Sequence, residues 1–154
     1  MSDETRFTEM GMPVAPTGSY QISMNFTRRT GNDHFGIQLP FSDGRAVFVV
    51  DSAPPNGRVS LEGIDGRVRH ESGQDLGVLA PIGQQRSLKV NVLQRGAHVD
   101  ITAKLDGTEI YNWSGRSRRL IISSRYDTPH HRRPAIQTHK SCFEIRNVRV
   151  TRLP

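Results

Sequence analysis

Apolar and polar residues alternate with a period of two along most of this chain. The alternation is clearest over 20–27, where Tyr20, Ile22, Met24 and Phe26 share one face. Because successive side chains of a strand point to opposite faces, this pattern predicts a half-buried β-strand. The pattern recurs over 35–39, 59–62, 88–92, 99–105 and 143–150. Residues 46–50 are apolar on both faces, which predicts a buried central strand.

Turn-forming residues separate these runs. Residues 93–97 and 105–108 each place a glycine between two alternating segments, so both predict a β-hairpin. The apolar spacing slips between Ile145 and Val148, which predicts a β-bulge near Arg146 and Asn147. Further short strands are predicted at 110–113 and 120–122. Nine or ten short strands without a helical stretch predict an antiparallel sandwich or barrel.

The length of 154 residues suits one domain. We expect a flexible lead-in over 1–13 and a single β-sandwich domain over 14–154, with long connections at 66–87 and 124–141. No apolar run approaches the length of about 20 residues that a membrane span needs. The single cysteine, Cys142, excludes an internal disulfide and a cysteine-only zinc site. The first residues do not resemble a signal peptide, so we expect a cytoplasmic protein or a domain excised from a larger one.

Positive charge is concentrated in the last quarter of the chain. The formal net charge is +6, and 18 of the 21 basic residues are arginine. Residues 1–115 contain 11 Lys and Arg against 13 Asp and Glu, whereas residues 116–154 contain 10 against 2. The basic candidates for ligand binding are Arg116, Arg118, Arg119, Arg125, Arg132 and Arg133. They either bind an anionic polymer, such as an acidic polysaccharide, or form a solubilising face. A nucleic acid partner stays possible, but no motif supports it.

Several segments together resemble one superfamily. In chain order they are Pro-Thr-Gly-Ser-Tyr at 16–20, Phe-Gly-Ile-Gln-Leu-Pro at 35–40, Leu-Glu-Gly-Ile-Asp-Gly at 61–66, Trp-Ser-Gly at 113–115 and Phe-Glu-Ile-Arg-Asn-Val-Arg-Val at 143–150. Over about residues 14–153 the chain resembles the concanavalin A-like lectin/glucanase superfamily, and is most similar to bacterial laminin-G-like and 3-keto-disaccharide hydrolase-like domains. The resemblance implies an all-β, concanavalin-like jelly-roll sandwich of two antiparallel sheets. It also implies ligand binding, commonly of glycans, on the concave sheet face or at loop tips.

The first function hypothesis is therefore a non-catalytic recognition module, most plausibly for carbohydrate. Tyr111 and Trp113 lie two apart on one strand face, where they either stack on sugar rings or belong to the core. The alternative is a sugar-active hydrolase of the 3-keto-disaccharide type, with Glu62, Asp65 and His70 lining its cleft. The acidic strand of the glucanase branch, Glu-x-Asp-x-x-Glu, is absent. If these residues are not catalytic, we expect Asp65 to form a turn with Gly66 and Glu62 to be a solvated strand residue.

No metal ligand is assigned from the sequence, but two sets of residues are considered. The first comprises His130, His131 and His139 with Asp127, whose spacing fits no zinc pattern. The second is a calcium site drawn from Asn32, Asp33, Ser42, Asp43 and Asp51. We expect no cofactor, with calcium as the alternative.

Overall fold

A computed structural model describes residues 8–52, 57–67, 73–122 and 132–154. Within these residues the chain forms antiparallel strands and one short 3-10 turn at Ser117–Arg119. The strands are β1 (Thr8–Gly11), β2 (Tyr20–Gly31), β3 (Phe35–Phe41), β4 (Gly44–Ser52), β5 (Arg58–Glu62), β6 (Gln74–Asp75), β7 (Gln85–Arg95), β8 (His98–Leu105), β9 (Thr108–Arg116), β10 (Ala135–Thr138) and β11 (Ser141–Arg152). None of the described segments is a helix of the length and apolar character that crossing a membrane requires.

The strands form two sheets packed face to face. The six-stranded sheet has the order β1-β10-β3-β4-β5-β6, and the five-stranded sheet has the order β11-β2-β7-β8-β9. Strands from the two ends of the chain therefore lie side by side in both sheets. This is a jelly-roll sandwich, and it confirms the predicted all-β fold class.

The apolar faces identified by alternation meet between the sheets. Tyr20, Ile22, Met24 and Phe26 of β2 are all buried there. The Tyr20 hydroxyl donates a hydrogen bond of 2.6 Å to the Pro40 carbonyl, which joins the five-stranded sheet to the six-stranded one. Burial raises the pKa of Tyr20 well above its ordinary value, so the phenol stays a donor.

The local turn chemistry agrees with the sequence. Asp106 and Gly107, between β8 and β9, both have positive φ, as a two-residue hairpin turn requires. The pairing of β11 with β2 shifts register between Arg146 and Arg149, and Asn147 has a φ of 55°. The two predicted hairpins, at 93–97 and 105–108, and the predicted bulge are confirmed.

Four segments differ from the sequence-based expectation, and one of them is β6 (Gln74–Asp75), which lies in the expected connection 66–87. Residues 120–122 form no strand, because Leu120 makes only a single bridge, to Ile64, after the 3-10 turn. Thr8–Gly11, within the expected flexible lead-in, is an edge strand paired with β10. β10 itself lies in the expected connection 124–141. These short strands depend on partners that are remote in sequence, so local alternation does not reveal them.

A buried arginine, Arg28 on β2, holds one end of the sandwich together. Its Nη2 atom donates to a carboxylate oxygen of Asp51 at 2.8 Å, and Nε donates to the Ala80 carbonyl at 2.9 Å. Its Nη1 atom donates to the Asp33 carbonyl at 2.6 Å and to the Ser141 hydroxyl at 2.9 Å. The guanidinium therefore connects β2 with β4, with the first residue of β11 and with the two connecting segments that contain Asp33 and Ala80.

The Asp51 carboxylate completes this arrangement. It accepts hydrogen bonds from the backbone N–H groups of Leu79 and Ala80, at 3.1 and 3.2 Å. The side chains of Arg28 and Asp51 are 4% and 5% exposed, so neither charge is solvated by bulk water. Each charge therefore depends on the other for its stabilisation.

We expect the Asp51→Asn substitution to lower the free energy of unfolding by about 3–5 kcal/mol, since it leaves the Arg28 charge buried without a counter-charge. Asn accepts the positive φ of 62° at this position, so backbone strain does not confound the result. The matched control is Asp75→Asn, which breaks the more exposed pair with Arg58 and should cost less than about 1 kcal/mol. Chemical denaturation measures both. Equal losses in the two variants would contradict this account of the Arg28–Asp51 pair.

Candidate functional site

The outward-facing side chains of β7 and β8 in the five-stranded sheet are mostly polar and at least partly exposed. A groove of about 390 Å³ crosses β2, β7 and β8 on the outer face of this sheet. We call it the polar groove, and its lining residues are Gln21, Ser87, Lys89, Asn91, Thr102, Lys104, Asp106 and Gly107. Apart from the hairpin residues Asp106 and Gly107, the lining consists of the outward-facing members of the alternating strands.

Strand register determines which groups meet in the polar groove. Lys89 on β7 lies opposite Lys104 on β8, and Asn91 lies opposite Thr102. On the other side of β7, Asn91 lies opposite Gln21, whose amide donates a hydrogen bond of 2.8 Å to the Asn91 side-chain oxygen. The groove floor thus combines amide and hydroxyl groups with two lysines that are opposed in register, and Glu109 on β9 lies opposite Lys104 on its other side.

The two ammonium groups lack ion-pair partners in the described part of the chain. Asp106, at the rim, is held instead by Arg86 and by the Ser87 backbone N–H. Burial alone would raise the pKa of Asp106, but these hydrogen bonds and the Arg86 charge lower it below its ordinary value. Like charges directly opposite each other on neighbouring strands are destabilising. Lys89 and Lys104 therefore form a pair whose repulsion an anionic ligand group would reduce.

Further along the same face, a serine, a histidine and an aspartate meet. The Ser114 hydroxyl lies 2.8 Å from His98 Nε2 and donates a hydrogen bond to Asp100. Asp100 also approaches the same His98 nitrogen, at 3.3 Å. In a catalytic triad the carboxylate contacts Nδ1, and Nε2 accepts the serine proton. Here that proton goes to the carboxylate, so the arrangement does not activate Ser114 as a nucleophile.

The outer face of the six-stranded sheet, in contrast, is covered by the chain itself. Val47 and Val49 on β4 are fully buried, and Ile122 packs against them. The Gln38 side chain donates a hydrogen bond of 3.0 Å to the Arg133 carbonyl. Polar Ser60 on β5 is fully buried on the same face. This cover explains why 46–50 is apolar on both faces.

Glu62 and Asp65, two of the residues considered for catalysis, have different environments in the structure. Glu62 lies on β5 and is only 3% exposed, so the expectation of a solvated strand residue is wrong because the sheet face is covered. Asp65 is in a turn closed by a hydrogen bond from Arg67 N–H to the Ile64 carbonyl. Both Asp65 carboxylate oxygens accept from Arg119, at 3.0 and 2.7 Å. The third residue, at position 70, falls outside the described residues.

The aromatic pair of β9 faces the core. Tyr111 and Trp113 are 2% and 8% exposed, and the Tyr111 ring lies 5.5 Å from that of Phe48. Gly115 leaves room for the indole, since a Cβ there would come within 2.7 Å of the Trp113 ring. Neither ring is available at the surface to stack on a sugar. The burial of both rings supports the interpretation that Tyr111 and Trp113 belong to the core. In the sequence, the polar residue Asn112 on the opposite strand face indicated this orientation.

The candidate arginines occupy two places. Arg116, Arg118 and Arg119 are exposed at or beside the 3-10 turn, whereas Arg132 and Arg133 are exposed ahead of β10. Hydrogen bonds and the charge of Asp65 raise the pKa of Arg119, whose charge is thereby matched. The remaining candidate, Arg125, lies outside the described residues.

At the Arg28 end of the sandwich, Asp33 lies between two histidines. Its carboxylate oxygens are each 2.8 Å from an Nδ1 atom, one of His34 and one of His139. Burial alone would raise the pKa of Asp33, but hydrogen bonds from the His34 backbone and from both imidazoles, with the His34 charge, lower it below the ordinary value. We call these three residues the Asp33 cluster.

The Asp33 cluster contains one member of each set considered from the sequence, His139 from the histidine set and Asp33 from the calcium set. His139 is the only member of the histidine set that the structure describes, because His130, His131 and Asp127 lie outside the described residues. The calcium set is not gathered around one centre. Asp51 is bound by Arg28, and Asp43 accepts a hydrogen bond of 2.7 Å from Ser117.

Comparison with known proteins gave a match at the level of structure alone. Neither protein-family profiles nor curated proteins match the sequence. Sheep galectin-11 in complex with glycerol is 13% identical, with a TM-score of 0.52 over 93% of this chain and 96% of the galectin. A legume lectin-like domain from Entamoeba histolytica is 6% identical, with a TM-score of 0.62 over 97% and 80%. Peanut lectin bound to a nine-residue peptide is 10% identical, with a TM-score of 0.54 over 94% and 78%.

The chain has the concanavalin A-like lectin fold. At these identities the likeness shows the fold alone. Galectins and legume lectins share the two-sheet sandwich described above. Neither the fold nor these comparisons supports a nucleic acid partner.

The turns that carry the Asp33 cluster approach each other backbone to backbone at Gly31. Gly31 has a φ of 84°, and a Cβ there would lie 2.3 Å from the Lys140 carbonyl oxygen. Gly31→Ala should therefore be strongly destabilising or prevent folding. Gly18→Ala is the matched control, because Gly18 has a φ of 74° but no heavy atom near the added Cβ. It should cost only the left-handed backbone penalty of about 1–2 kcal/mol. Similar midpoints of thermal unfolding for the two variants would show that the close approach does not matter.

Proposed function

We propose that this protein is a non-catalytic carbohydrate-recognition module and that the polar groove is its binding site. The observation that carries the proposal is an open groove lined with hydrogen-bond donors and acceptors from three adjacent strands. The fold, which is that of galectins and legume lectins, supports it. The opposite outer face is covered around β4 and β5 by the chain itself, which leaves the five-stranded face as the open one.

The groove chemistry suits sugar hydroxyl groups. The amides of Gln21 and Asn91 and the hydroxyl of Thr102 supply both donors and acceptors. Their backbone positions are held by the strand ladder, so little ordering is needed on binding. Stacking on Tyr111 or Trp113 is not part of this mode, since both rings are buried.

The paired lysines favour an acidic glycan. A uronic-acid carboxylate or a sulfate placed between Lys89 and Lys104 would attract both lysines and reduce the repulsion between them. Binding of this kind weakens with salt because the lysines are at the surface. Within the proposed class of ligand, we therefore infer a preference for uronic-acid or sulfated sugars.

The groove lacks the pair of groups that glycoside hydrolysis requires. The usual mechanisms place two carboxyl groups about 5–10 Å apart across the scissile bond. Asp106 is the single carboxylate among the lining residues, and it is bound by Arg86. We therefore propose binding without turnover in place of the hydrolase alternative.

The test is binding to neutral, uronic-acid and sulfated glycans at low and high salt, followed by calorimetry on any ligand found. The Lys89→Gln/Lys104→Gln variant should lose at least about tenfold in affinity for acidic ligands, which corresponds to loss of roughly one charged hydrogen bond. Its stability should be unchanged or higher, because the repulsion is removed.

Arg116→Gln/Arg118→Gln is the matched control, with two exposed charges removed elsewhere, and it should bind as the parent does. Loss of binding in this control alone would move the site to the arginines. If the protein binds only neutral sugars, the Asn91→Ala variant should abolish that binding. Unchanged binding by Asn91→Ala would show that the polar groove is not the binding site. Absence of binding to every glycan class would overturn the proposed function.

A further inference from the structure

The Asp33 cluster has the composition of a metal site. Asp33 and His34 lie between β2 and β3, and His139 lies between β10 and β11. We propose that these three residues bind one divalent transition-metal cation of the Zn²⁺ type, independently of the polar groove. Two imidazole nitrogens and one carboxylate oxygen are the ligands that such ions accept in three-residue protein sites.

The spacing of the donor atoms fits one ion. One ligand atom from each residue can be chosen so that all lie within 4.8 Å of one another. Two ligands on a tetrahedral Zn²⁺ ion, each at about 2.0–2.2 Å, are roughly 3.3 Å apart. The Nδ1 atoms of His34 and His139 are each 2.8 Å from an Asp33 oxygen. An ion can replace these hydrogen bonds if the two imidazoles, which contact different Asp33 oxygens, also move towards each other, with the displaced Nδ1 protons moving to Nε2 in neutral imidazoles.

The charge environment sets Asp33 apart in an arginine-rich chain. Other carboxylates of the described residues form ion pairs with arginine: Asp51, Asp65, Asp75, Asp100, Asp106 and Glu144. The carboxylate of Asp33 pairs with imidazoles only. The nearby Arg28 donates to the Asp33 main-chain carbonyl, and its charge is matched by Asp51. The Asp33 carboxylate therefore keeps its charge available for a cation.

The surrounding hydrogen bonds hold the donor groups in place. The Ser141 hydroxyl accepts from the Asp33 backbone N–H at 2.8 Å and contacts the Asp33 carbonyl at 3.0 Å. His139 N–H donates to the His34 carbonyl at 3.2 Å, which joins the two turns directly. The His34 and His139 side chains are 5% and 11% exposed, whereas that of Asp33 is 21% exposed. The imidazoles are thus fixed, and the carboxylate side is open to an entering ion and a water ligand.

The experiment is a Zn²⁺ titration of the full chain after chelator treatment, followed by calorimetry and thermal unfolding. We expect one Zn²⁺ per chain and a rise in Tm of several degrees, because an ion that binds only the folded state stabilises it. Co²⁺ should give visible absorption typical of tetrahedral or five-coordinate ligand sets. The Asp33→Asn/His139→Gln variant should lose more than about 100-fold in Zn²⁺ affinity. Removing a group that only hydrogen-bonds to a metal ligand already costs about 10–100-fold, and this variant removes two ligands.

Two controls separate this site from other histidines. His98→Gln removes a surface histidine that also lies beside a carboxylate, and His70→Gln/His130→Gln/His131→Gln removes three more. Both variants should bind Zn²⁺ as the parent does. If the double variant is unstable, the single variant His139→Gln serves as the test. Glutamine is similar in size to histidine and keeps a hydrogen-bond donor and an acceptor, so this variant should fold. No Zn²⁺ binding by the parent, binding unchanged in His139→Gln, or loss confined to a control would overturn the proposal. None of these readouts involves a glycan.

Discussion

The buried pair of Arg28 and Asp51 is the constraint on which one end of the sandwich depends. Charges removed from water must keep their partners, so the positions of both residues are fixed once the sheets pack. The remaining guanidinium donors then fix the Asp33 carbonyl and the Ser141 hydroxyl, and Asp51 fixes the backbone at 79–80. The Asp33 cluster is consequently positioned by an interaction that its own side chains do not form.

The alternation of residue types predicted most of the strands, since burial of one face imposes a period of two. It did not show which outer face is covered. Ser60 and Glu62 have the pattern of a solvated face, yet both are buried because residues near Ile122 and Arg133 cover the six-stranded sheet. A covered face requires contact between segments that are distant in sequence, and such contact leaves little trace in local composition.

The candidate sites show the same division between local and remote information. Lys89, Asn91, Thr102 and Lys104 are visible in the sequence as the polar members of alternating runs, but only the register shows that the two lysines are opposed. His139 and Asp33 are 106 positions apart, and their contact follows from the antiparallel pairing of β10 with β3. Trp113 differs from these residues. Its residue type suggests stacking on a sugar ring, but the side chain is buried in the core.

The bulge in β11 also affects how this molecule meets its neighbours. β11 is a long strand at the edge of its sheet, and regular edges of this kind can extend into intermolecular β-ladders. Asn147, with its left-handed backbone, interrupts the regular row of amide and carbonyl groups there. Arg149 and Arg152, both exposed, add positive charge along the same strand, so two such edges repel each other. Part of the arginine excess near the C-terminus is thus edge charge of the kind that disfavours pairing between strands of two molecules, and this effect needs no ligand.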